Sequence, residues 1–314
     1  MRIIYILISV SFFLGIQGCE NATDCDLLAA DKSDPTKIAE GVDFNDIDTT
    51  AATTACKSAL EKTPDSARLM FQYSRALFKA GEVTEAESWA LKSANKGYLM
   101  GEFLVAKINQ SFSDFTEMSN VARGWYKSAA NKGLIPAQLV LGSYWEQSFL
   151  DSPDTHLYIN GALEWYNKAA DQGSIHAALA LVRIYGEDRY GTNIVDKNKS
   201  FKWAMKAAKE NDVEAQYVLG TKYQDGHGTA INRVEAMKWY LLSAKQGSEN
   251  AKIQIKGMYS QGVAPDGYKK EALSVLDKNY TAVIWCGFYD MAYLTACFSG
   301  HTTLKVRINN IATV

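Results

Sequence analysis

Few residues of this 314-residue chain stand at spacings that support chemistry. Ser93 and Lys96 form a Ser-x-x-Lys step, which on a helix sets a lysine one turn from a serine hydroxyl, as in an acyl-transfer nucleophile with its base. The equivalent stretches at 129–132 and 169–172 read Ala-Ala-Asn-Lys and Ala-Ala-Asp-Gln, so Ser93 reads as a small packing residue at an Ala position. Neither Ser-Asp-Asn nor Lys-Thr-Gly completes a catalytic set. The histidines His156, His176, His227 and His301 share no ligand or catalytic spacing, and there is no HExxH, GxSxG, Walker or dinucleotide glycine motif. Asp43, Asn45, Asp46 and Asp48 suggest a calcium loop, but Ile47 fills a ligand position and no Gly follows, so Asp48 reads as a helix entry. No catalytic residue, metal site or cofactor is expected, and the chain reads as a non-enzyme.

The remaining chemistry belongs to cysteine. Arg2 precedes an uncharged, apolar run from Ile3 to Ile16, too short to span a bilayer but right for an export signal. The run ends in Ile16-Gln17-Gly18-Cys19, which resembles the bacterial lipoprotein box, where the Cys is lipidated and becomes the mature N-terminus. Glu20 is not the Asp that often retains such proteins at the inner membrane, so an outer-membrane anchor facing the periplasm is expected, or secretion if Cys19 is not lipidated. Cys25, Cys56, Cys286 and Cys297 then remain, an even number in an exported protein, and two disulfides are expected. Proximity favours Cys25–Cys56 and Cys286–Cys297, with three pairings open.

Composition narrows the partners. Hydrophobic residues make up 47% and charged residues 22%, as in a folded protein, and a net charge of −2 offers no bulk attraction to nucleic acid.

The elements that hold these residues are read from tryptophan. Trp89, Trp125, Trp165, Trp203 and Trp239 recur at intervals of 36, 40, 38 and 36 residues, the length of one helix-turn-helix unit. Three residues before each stands Ala86, Ala122, Ala162, Ser200 or Ala236, and five after it Ala94, Ala130, Ala170, Ala208 or Ala244, which predicts a close-packed helical face. Eight after each comes Gly97, Gly133, Gly173, Asn211 or Gly247, residues that tolerate the left-handed conformation closing a helix. A second helix starts near Ala137, Ala177, Ala215 and Ala251, with Leu141, Leu181, Leu219 and Ile255 one turn on. The fold class is therefore all-α: a right-handed α/α solenoid of helix-turn-helix repeats with a C-terminal cap.

The stretches "ARGWYKSAANKG", "ALEWYNKAADQG" and "AMKWYLLSAKQG", and the Gly226-x-Gly228 loop after the second helix, resemble Sel-one-like repeats, relatives of the tetratricopeptide repeat, over residues 84–262. Some cysteine-rich relatives of that family are associated with penicillin recognition, but their paired Cys in each repeat are missing here. The segment from Cys25 is similar to segments opening exported bacterial proteins of this type, which implies a Cys25–Cys56 bond pinning an otherwise loose arm. The organisation expected is a signal peptide at 1–18, an arm at 19–47, a tetratricopeptide-like helix pair at 48–82, repeats at 83–265 and a cap at 266–314, where residues 269–278 start one more helix and 304–309 alternate like a strand. The resemblance implies a scaffold or adaptor with a protein partner in the cell envelope. A glycan- or peptidoglycan-binding protein is the alternative. Tyr126, Tyr166 and Tyr240, each following its Trp, serve either the groove or packing between repeats.

Overall fold

The computed structural model describes residues 21–111, 118–152 and 156–276. All regular structure among them is helical. The chain divides into two compact units, Met1–Ala137 and Gln138–Val314. The first holds α1 (Asp24–Ala29), α2 (Thr49–Lys62), α3 (Ala67–Ala80), α4 (Val83–Asn95), α5 (Leu99–Gln110) and α6 (Asn120–Asn131). Helix α7 (Ile135–Asp151) runs across the boundary. The second unit continues with α8 (His156–Asp171), α9 (Ile175–Gly186), α10 (Lys197–Lys209), α11 (Val213–Asp225), α12 (Arg233–Lys245), α13 (Glu249–Ser260) and α14 (Lys269–Val275). Within each unit consecutive helices pack on one another, and the fold is an α/α solenoid of helix-turn-helix repeats.

The turns behave as their residues require. Gly97, Gly133, Gly173 and Gly247 all have positive φ, and at the one copy without Gly, Asn211 takes φ of 61°. Ser174, Asp212 and Ser248 each cap the helix that follows, accepting from the backbone N–H three residues on. Asp48 likewise caps α2 by accepting from Ala51 N at 3.0 Å. Gly226 closes α11 in the left-handed region, and Gly228 lies so near α10 that a Cβ there would stand 1.9 Å from the Lys197 carbonyl oxygen. Only glycine fits that approach.

The repeat core is built by small residues and by the position after each Trp. Ala86, Ala122, Ala162, Ala236 and the second-helix residues Ala137, Ala177, Ala215 and Ala251 are fully buried. Trp165 is buried, but Trp89, Trp125, Trp203 and Trp239 are only half-buried, at the edge of the face on which the offsets placed them. The Nζ of Lys92, Lys168 and Lys206 lies 3.8, 4.1 and 4.6 Å from the ring centroids of Trp89, Trp165 and Trp203. Tyr126, Tyr166 and Tyr240 are at most 5% exposed and serve packing.

The seats of Tyr166 and Tyr240 lie on the preceding repeat. A Cβ on Gly142 would meet the Tyr166 ring at 2.7 Å, and one on Gly220 would meet the Tyr240 ring at 2.6 Å. Where the residue after Trp is Ala204, the corresponding seat is Val182, and both are buried. A small seat thus takes a large ring and a larger seat takes alanine.

The arm is folded, not loose. Thr23 and Asp26 form a capping box on α1, and the buried Asp26 also receives a hydrogen bond from Gln72 Nε2 at 2.9 Å and an ion pair from Arg68. Arg75, on α3, is 3% exposed and donates to the carbonyls of Ala29 and Ala30 at 3.2 Å and of Val42 at 2.6 Å, while pairing with Asp31 at 3.1 Å. Tyr98 donates to the buried Asp34, and burial followed by that carboxylate raises its pKa. Cys25 and Cys56, both fully buried, are bonded at 1.99 Å and tie α1 to α2.

Past the last repeat, Ala272 on α14 and Leu276, which caps its end, are buried in the cluster formed by α12 and α13. Cys19, Cys286, Cys297, the signal run and the 304–309 alternation lie outside the described residues.

Candidate functional site

The second helices of the second unit present a concave surface of about 870 Å³ across α7, α9 and α11. Its apolar floor includes Leu139, Leu179 and Val218, and its polar lining includes His176, Arg183 and Lys222. His176, in the first turn of α9, and His227, in the Gly226-x-Gly228 loop, are both exposed and both line it. No spacing in the sequence relates the two.

One wall rests on a buried carboxylate. Glu146, on α7, is 5% exposed and accepts from Tyr166 Oη at 2.9 Å, from Arg183 Nη2 at 2.8 Å and from Tyr190 Oη. Tyr190 belongs to a 3-10 turn, Asp188–Tyr190, and its ring stacks on Phe149 at 5.9 Å. Burial works against the charge on Arg183, but Glu146 more than compensates and raises its pKa. Burial, then Glu146, pushes the Tyr190 phenol up to about 12. This network holds Arg183 in place with 43% of its side chain still exposed. Its members lie up to 44 residues apart, and no local motif marks them.

Lys222, on α11, also lines the concave surface. It is half-buried, its Nζ is 3.0 Å from where a Cβ on Gly186 would be, and it closes no ion pair among the described residues. Burial lowers its pKa, and Glu187 only partly offsets this.

Ser93 is committed elsewhere. It is fully buried, and its Oγ donates to the Ala67 carbonyl at 2.7 Å, while Lys96 pairs with Asp65 at 2.9 Å. Ser243 makes the same bond to Val213, so the hydroxyl is a packing device of this repeat position.

The family model for the Sel1 repeat matches residues 119–134, 135–174, 177–212 and 213–248. The chain carries Sel1 repeats over these residues. The match covers less than the 84–262 read from the tryptophans. The Trp89 copy, with Gly101 packed against Ser93, and the Trp239 copy beyond residue 248, with Lys256 for Gly, depart from the pattern yet keep the hairpin.

Part of the chain is similar to two curated proteins. One is the chitin synthase regulator SKT5 of Saccharomyces cerevisiae, 28% identical over 63% of this chain and 26% of that protein. The other is chitin synthase regulatory factor 3 of Schizosaccharomyces pombe, 31% identical over 42% of this chain and 14% of that protein. The chain thus spans about a quarter of one relative's length and about a seventh of the other's. Among solved structures, the Sel1-repeat fold is shared with a Sel1 repeat protein of Oxalobacter formigenes, at 22% identity and a TM-score of 0.52 over 72% of this chain and 91% of that one. It is also shared with a protective antigen of uropathogenic Escherichia coli, at 20% identity and a TM-score of 0.53 over 75% of this chain and 49% of that one.

Proposed function

We propose that this Sel1-repeat protein is a non-enzymatic adaptor that holds a protein partner in the bacterial cell envelope, tethered through a lipid on Cys19. The observation that carries the reading is how the repeat side chains are spent. Ser93, Tyr166 and Tyr240 are used in packing, while the concave surface over α7, α9 and α11 stays open. A surface of that kind suits recognition of a polypeptide. The named relatives, regulators of an enzyme, point the same way. Burial of Tyr126 and Tyr240 removes the aromatic rows that would favour a glycan. The envelope placement rests on the Ile3–Ile16 run and the Gly18-Cys19 box.

Photo-crosslinking from intact cells tests both parts. A crosslinker at Val218, in the concavity, or at the exposed Val234, on α12, is expected to capture a discrete protein band. Cys19→Ser is expected to move the protein from the membrane to the soluble fraction. A wild-type chain already soluble sinks the anchor, and no crosslink from either position sinks the adaptor.

A further inference from the structure

The chain carries its own example of how the second-helix face takes a polypeptide. Counted from the N-cap Ser66, positions two, six and nine of α3 are Arg68, Gln72 and Arg75. All three hold the arm: Arg68 and Gln72 through the Asp26 carboxylate, and Arg75 through the carbonyls of Ala29, Ala30 and Val42. The same positions after Ser174 in α9 are His176, Ala180 and Arg183, and after Asp212 in α11 they are Glu214, Val218 and Thr221. All six line the concavity, where no part of the described chain lies over them as the arm lies over α3.

Lys222, one position past Thr221 and outside this register, also lines the concavity. From this shared face, and resting on the adaptor reading, we propose that α9 and α11 take an extended segment of the partner protein. The segment carries an acidic side chain for Lys222, an apolar one over Val218 and a basic one for Glu214.

The spacing follows from helix geometry. Glu214, Val218 and Lys222 are each four residues apart, on one stripe of α11. At about 1.5 Å per residue the outer two stand about 12 Å apart. An extended chain advances about 3.3 Å per residue, so four residues cover that distance, and residues i, i+2 and i+4 share a face. The motif is therefore acidic-x-apolar-x-basic, in one chain direction or the other. Lys222 supplies the sharpest selectivity, because it is half-buried and lacks an ion pair among the described residues. Its pKa is lowered by burial, so an arriving carboxylate would relieve a cost already present. Glu187 and Asp225 raise it without closing a pair. The occupant differs from the chain's own arm, since Glu214 stands where α3 has Arg68.

The test titrates the full chain with fluorescein-labelled Gly-Glu-Thr-Leu-Thr-Lys-Gly, with its reverse order, and with a form in which Glu is Lys. One of the two charge-paired orders is expected to bind, and the Lys/Lys peptide about tenfold more weakly. Lys222→Glu should invert that preference, and Lys222→Met should abolish it while leaving the thermal melt intact. Absence of binding by both charge-paired peptides overturns the inference, as does an order of affinities that Lys222→Glu leaves unchanged. If the cellular partner crosslinks from Val234 and never from Val218, this inference falls while the adaptor reading stands.

Discussion

The ring of Tyr240 rests directly on the backbone of Gly220, with no room between them for a single methyl group. Tyr166 sits on Gly142 in the same way, whereas Val182 and Ala204 fill the equivalent positions with their sizes exchanged. Size complementarity between successive repeats therefore fixes each joint.

Gly220→Val is expected to cost about 1–3 kcal/mol through overpacking against Tyr240. Tyr240→Ala alone should cost about 3–5 kcal/mol through the cavity it leaves. The double variant recreates the Val182/Ala204 pairing and should be more stable than the sum of its single effects implies. Urea unfolding of the four proteins measures the coupling, and strict additivity would contradict the joint.

Two buried phenols make opposite predictions. Tyr166 donates to Glu146 at 2.9 Å, so Tyr166→Phe should cost about 1.5–3 kcal/mol by weakening a charge-assisted bond. The buried Tyr240 hydroxyl has no hydrogen-bond partner among the described residues, so Tyr240→Phe should be neutral or stabilising. Thermal melts of the two variants decide this, and equal losses would count against it.

Much of this architecture was legible in advance because its determinants are local. The left-handed turns were marked by Gly97, Gly133, Gly173 and Gly247, and the departure at Asn211 went to a residue that tolerates positive φ. The Ala positions around each Trp identified the close-packed face. The arm was not legible. Its order depends on Gln72 reaching Asp26 across 46 residues and on Arg75 gathering carbonyls from two segments, and nothing periodic announces such contacts. The same holds for Glu146 and for the two histidines that share the concavity. Trp misled slightly, because a recurrent residue marks a repeat without having to fill its core.

Arg75→Met is expected to release the arm without breaking its covalent tie. The change leaves the carbonyls of Ala29, Ala30 and Val42 without their donor and Asp31 without its pair, at a cost on the order of 3–5 kcal/mol. Hydrogen exchange should rise in residues 24–42 and stay low in α11, with Cys25–Cys56 still formed. Uniform exchange across both stretches would show that Arg75 supports more than the arm.

Alkaline pH should loosen the first unit in a defined window. Burial pushes the Tyr126 phenol from its ordinary 10.0 up to about 12, so the folded state favours the neutral form. That stabilisation is complete below pH 10.0 and is lost as pH rises through about 12. Tyr126→Phe should flatten the fall in melting temperature across this window, and an unchanged profile would remove Tyr126 as its source.

The matched joints also bear on how such a gene can shorten. Recombination between neighbouring repeats that excised α10 and α11 would set the Val182 seat against Tyr240, two bulky partners. Losing α8 and α9 would set Gly142 against Ala204 and leave a hole. Only excision of both repeats together brings Gly142 under Tyr240, a pairing the chain already uses. Across α8–α11, then, the repeats can be lost cleanly as a pair and not singly, and that stretch is inherited as a unit of two.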